Sequence, residues 1–66
     1  MTVTVNGAPR SVADGLTLSQ LVAELGLQKN PIAVELNRSV VPRDRHAETR
    51  LAEGDRLEIV TLVGGG

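Results

Sequence analysis

Three glycines, Gly64-Gly65-Gly66, follow the apolar run Ile59-Val60-Thr61-Leu62-Val63 and place a carboxylate on a thread of bare backbone. Such a thread is narrow enough to enter a slot, and it reaches roughly 10 Å beyond the last strand residue. The α-carboxyl is ionised at neutral pH, and it is inert toward acyl transfer until it gains a leaving group. Attack of the carboxylate on the α-phosphorus of ATP gives an acyl-adenylate, with Mg²⁺ and the partner's cationic groups offsetting the charge repulsion. A sulfur nucleophile that displaces AMP then leaves a thiocarboxylate. Glycine helps both steps, because no side chain crowds the carbonyl. A frayed tail or a cloning scar is the other account of these residues, since each glycine adds backbone entropy and buries nothing.

Elsewhere the chain offers little that catalysis needs. His46 is the single histidine, and beside Arg43, Asp44 and Arg45 it reads as part of a solvated charge run. Asp44 and His46 have no nucleophile with them, and Ser11, Ser19 and Ser39 stand in no elbow motif. Metal binding needs several converging His or carboxylate groups, and no such spacing occurs. No cysteine is present, which excludes disulfides, thiolate catalysis and thiolate ligands. The glycines are no phosphate loop, because no Lys-Ser/Thr pair and no helix follow them. A protein that is not itself an enzyme is expected.

Composition narrows the classes further. Sixty-six residues allow one domain with a thin core. A formal charge of −1 gives no field for nucleic acid or acidic lipid, and the absence of aromatic residues removes any stacking platform. The core must be built from Leu, Val, Ile and Ala. No apolar run approaches the ~20 residues of a membrane span, and the first residues lack the pattern of a signal peptide. A soluble cytoplasmic protein is the expectation, with no nucleic-acid or membrane partner.

The elements that would position the glycines can be read in order. Residues 1–5 alternate as a strand, and Asn6-Gly7 marks a tight hairpin whose return strand covers 8–12, with Pro9 placing it at a sheet edge. Thr17 and Gln20 form a capping box, followed by the helical stripe Leu18, Leu21, Val22 and Leu25 and a stop at Gly26. A third strand covers 32–36, Asn37-Arg38 turns, and Val40-Val41 is a short strand closed by Pro42. The polar stretch 43–49 is irregular or one helical turn, Leu51 plugs the core, and 56–63 is the longest strand. One amphipathic helix covers one face of a small sheet most economically if the last strand lies beside the first. The expected class is α+β, a β-grasp fold with a mixed sheet of four to five strands. Its domain covers residues 1–63, and residues 64–66 form a flexible tail. An irregular α+β sandwich is the alternative.

In the last strand, Leu57 and Ile59 fall on one face, and Glu58, Val60 and Leu62 on the other. If Glu58 faces solvent, Val60 and Leu62 lie on the open sheet face beside the glycines. They then form either scattered surface apolar residues or a docking patch. A patch next to a bare carboxylate describes a carrier, gripped on one face while its end is delivered.

The chain resembles the ThiS family of thiamine-pathway sulfur carriers over essentially its whole length. The resemblance rests on Val5-Asn6-Gly7, Ile32-Ala33-Val34-Glu35-Leu36-Asn37, Val40-Val41-Pro42-Arg43, Glu53-Gly54-Asp55, Leu57-Glu58-Ile59-Val60 and the final glycines. It implies a β-grasp fold and a terminal glycine adenylated by an E1-like adenylyltransferase of the ThiF type, which consumes ATP with Mg²⁺. A cysteine desulfurase relay would supply the sulfur, and thiazole synthase would take it into the thiazole ring. By position, Gly66 would bear the thiocarboxylate, Gly64 and Gly65 would form the inserted tail, and no cofactor would be bound. Asn37, Pro42 and Gly54-Asp55 match the family pattern but read as turn residues. Three alternatives remain: a MoaD-like carrier for molybdopterin or another acceptor, a β-grasp interaction module with an inert tail, and a ubiquitin-like modifier.

Overall fold

In the computed structural model, which describes residues 1–62, β1 (Thr2–Val5) and β2 (Ala8–Ser11) precede helix α1 (Leu18–Glu24). Then come β3 (Ile32–Leu36), β4 (Ser39–Val40), a 3-10 helix (Arg43–Glu48) and β5 (Arg56–Thr61). The strands form one sheet in the order β2-β1-β5-β3-β4. β5 therefore occupies the centre, parallel to β1 and antiparallel to β3, while β2 and β4 are the edges.

Local chemistry explains each element. Asn6 and Gly7 both have positive φ, as a two-residue hairpin with Val5 opposite Ala8 requires. Pro9 lies in edge strand β2, where its missing N–H costs no ladder bond. The capping box forms in full: Thr17 Oγ1 accepts from Gln20 N, and Gln20 Oε1 accepts from Thr17 N. The N–H of Leu18, which has no partner within the helix, donates to Thr49 O at 2.8 Å.

Leu18, Leu21 and Val22 turn from α1 toward Val3, Val34, Leu57 and Ile59 on the inner sheet face, and Leu51 completes the core as expected. The second hairpin differs by one residue from the sequence reading. Leu36 pairs directly with Ser39, because Asn37 and Arg38 both adopt positive φ and the turn closes in two residues. The short strand is therefore Ser39–Val40, and Val41 turns inward against the core. A five-stranded mixed sheet with one helix across its inner face is the β-grasp arrangement.

Candidate functional site

β5 places its residues as the alternation requires. Leu57 and Ile59 are buried beneath α1, while Glu58 and Val60 point to the open face. Leu62 continues the alternation, held to the sheet by its N–H donating to Pro31 O at 2.8 Å. Val60 is 59% exposed and Leu62 51%, so the two candidate docking residues share one uncovered surface. Val63, Gly64, Gly65 and Gly66 lie outside the described residues.

The open face holds more than the sequence reading assigned. Val60 stands opposite Ala33, and Glu58 opposite Glu35, which in turn stands opposite Val40. Cross-strand partners point to the same side, so Val40, 69% exposed, extends the apolar surface toward the β4 edge. The alternating pattern gave no sign of Val40, because either residue of Val40-Val41 could have faced outward. Only the length of the Asn37-Arg38 turn decides between them.

Two asparagines in the hairpin turns hold β5 from opposite sides. The Asn6 side chain accepts from Ile59 N at 2.8 Å and donates to Ile59 O at 3.1 Å. Asn37 Oδ1 accepts from Arg56 N at 2.9 Å, Asn37 N donates to Arg56 O at 2.8 Å, and Asn37 Nδ2 donates to Asp55 Oδ1 at 3.0 Å. Sequence reasoning assigned both only to turns. The positive φ that favours asparagine there is legible in a sequence, and the reach of the amide across the sheet is not.

His46 departs from the solvated reading. It is only 5% exposed, while Arg43, Asp44 and Arg45 around it are exposed as expected. Its Nε2 lies 3.0 Å from Val41 O. A carbonyl oxygen only accepts, so Nε2 carries the proton in this bond. The 3-10 turn rotates this one ring inward against α1 and leaves the charges outside. Arg43 in turn donates to the carbonyls of Gln28 and Asn30, pinning the loop after α1. A groove of about 340 Å³ runs between the two helices, lined in part by Ser19, Arg43 and His46. Ser19 and His46 share this groove, but the structure records no hydrogen bond between them.

Among the described residues, no group of His, Cys, Asp or Glu is placed to hold a metal ion, and no helix is long and apolar enough to cross a membrane.

Comparison with known proteins gives a consistent result. The ThiS family model matches residues 3–66. A thiazole synthase of Paramagnetospirillum magneticum is 38% identical over the full chain, which spans only 20% of that protein's length. A sulfur carrier protein ThiS of Thermus thermophilus is 34% identical over 97% of this chain and 98% of its own. The crystal structure of a thiamine biosynthesis protein (ThiS) from Geobacter metallireducens superposes with a TM-score of 0.85 at 35% identity, with both chains fully covered. The fold, the central position of β5 and a family match that runs through the glycines lead to one assignment: this chain belongs to the ThiS family.

Proposed function

We propose that this chain is a sulfur carrier for thiazole formation in thiamine biosynthesis, with Gly66 as the modified residue and no catalytic residue of its own. The match to the ThiS family over residues 3–66, glycines included, is the observation that carries this reading. The open face supports it by placing Val60 and Leu62 on the surface from which β5 leads toward Gly64 and Gly65.

The chemistry follows from the terminus. An E1-like adenylyltransferase of the ThiF type grips the Val60–Leu62 surface and receives the glycine thread. The Gly66 carboxylate attacks the α-phosphorus of ATP, pyrophosphate leaves, and Mg²⁺ in the partner's site offsets the charge. A persulfide supplied by a cysteine desulfurase relay displaces AMP to give an acyl disulfide. A thiol reductant then cleaves the S–S bond, forming a disulfide with the relay cysteine and leaving the thiocarboxylate. Thiazole synthase then accepts the sulfur. The likeness to thiazole synthases supports that last partner, since two such proteins contain a stretch similar to this whole chain.

Intact mass after incubation with ATP, Mg²⁺, a ThiF-type enzyme and a sulfur donor tests the reading. The expected result is the gain of one sulfur in place of one oxygen, mapped to Gly66, followed by its loss to thiazole synthase. An unmodified terminus, with enzymes that charge a control ThiS carrier, overturns the proposal in favour of an interaction module. Transfer of the sulfur only to a molybdopterin precursor would place the chain with the MoaD-like carriers.

A further inference from the structure

We propose that Asn6 is a positioning residue for sulfur transfer: its side-chain amide stands in for strand backbone beside Ile59 and fixes where the chain leaves the sheet toward Gly66. This rests on the carrier reading above.

β1 pairs with β5 only at Thr4 opposite Arg56 and Val5 opposite Leu57, and its last backbone bond runs from Asn6 N to Leu57 O at 2.8 Å. The backbone then turns away into Gly7 and β2. The ladder nevertheless continues one step, because the Asn6 amide both donates to and accepts from the Ile59 backbone. In this parallel pair a longer β1 would supply the two bonds from two successive in-line residues, and here the one Asn6 amide supplies both. Ile59 therefore directs its N–H and C=O toward β1, and strand alternation leaves its partner Val34 on β3 as a non-hydrogen-bonded pair. Asn6 is thus the group among the described residues that holds Ile59 by its backbone.

Ile59 directly precedes Val60 and stands three residues before Leu62, so the clamp sits at the start of the docking surface. Without it, the outgoing end of β5 is held from the β3 side alone, through Ala33 opposite Val60 and the bond from Leu62 N to Pro31 O. A tail that must place one carboxylate against a phosphorus atom loses rate when its point of departure wanders. Asn37 provides the internal comparison. It clamps β5 at Arg56, the end away from the glycines.

The test compares Asn6→Gly with Asn37→Gly. Glycine accepts the positive φ of 51° and 50° at the two positions, so each turn is kept while the amide is lost. Adenylation by a ThiF-type enzyme is followed together with amide hydrogen exchange, under conditions where both variants are fully folded. Asn6→Gly is expected to speed exchange at the Ile59 amide and to lower kcat for adenylation by about tenfold, with KM within about twofold. Asn37→Gly is expected to leave kcat at the wild-type value. Asn6→Asp keeps the acceptor for Ile59 N and should regain part of the rate. Wild-type kcat in Asn6→Gly despite lost Ile59 protection overturns the proposal, as does an equal loss in Asn37→Gly. A wild-type chain that is never adenylated, beside a control carrier that is, fails earlier and refutes the carrier reading itself.

Discussion

Glu35 and Glu58 stand directly opposite each other on β3 and β5, both exposed on the open face. The ion pairs among the described residues join Met1 to Asp14, Arg10 to Glu24 and Arg45 to Glu48, and none reaches this pair. Like charges in direct register across a sheet repel. Glu35→Gln is therefore expected to stabilise the fold by about 0.2–1 kcal/mol at low salt, with the gain shrinking as salt screens the pair. Denaturant titrations at two ionic strengths check both the sign and the salt dependence.

Burial of His46 gives a second expectation. His46→Ala removes the ring from beneath α1 and leaves the Val41 carbonyl without its donor, at a cost of about 1–3 kcal/mol. If the ring is a packing group, charging of Gly66 in the folded variant proceeds at the wild-type rate. Loss of charging out of proportion to the unfolded fraction would give the groove beside Ser19 a catalytic part.

Arg38 carries φ 73°, a left-handed conformation that a side chain adopts at a cost. Gly7, the matching residue of the first hairpin, adopts φ 82°. Arg38→Gly is expected to raise stability by about 1 kcal/mol, the relief of strain exceeding the entropy that glycine adds to the unfolded chain. Thermal unfolding reads the shift, and an unchanged or lower midpoint would contradict it.

Val60 and Leu62 face solvent, so charges there should spare the fold and spoil docking. Val60→Asp is expected to change stability by less than about 1 kcal/mol. In the adenylation reaction its KM for the carrier should rise about tenfold or more, because an uncompensated carboxylate is trapped against an apolar partner surface. The double variant with Leu62→Asp should be worse still. Unchanged kinetics in both would move the docking surface elsewhere.

Much of this architecture could be read from residue order. The Thr17–Gln20 capping box, the Leu18-Leu21-Val22 stripe and the Asn6-Gly7 turn each follow from local stereochemistry, and each appears where expected. The burial of Leu57 and Ile59 and the exposure of Val60 and Leu62 follow from period-two alternation once one residue's face is fixed. His46 was misread because a 3-10 turn can bury a single residue within a polar segment, a choice made by the packing of α1 and not by neighbours in sequence. Asn6 was underread for a related reason. Its partner lies 53 residues away, and no local pattern encodes that distance.

The placement of β5 also sets the order in which the molecule can assemble. Two hairpins, β1–β2 and β3–β4, are complete in the first 40 residues, and each can pair as it leaves the ribosome. Neither is paired with the other in the sheet, because β5 lies between them and is synthesised after both. A nascent chain stopped before Arg56 thus holds two unjoined ribbons and a helix with half a surface to cover. The decisive closure, linking residue 4 to residue 56, is a long-range contact, slow by its topology. Assembly waits for the strand that leads to the glycines, so folding is completed at the same end of the chain where the acyl chemistry is proposed to occur.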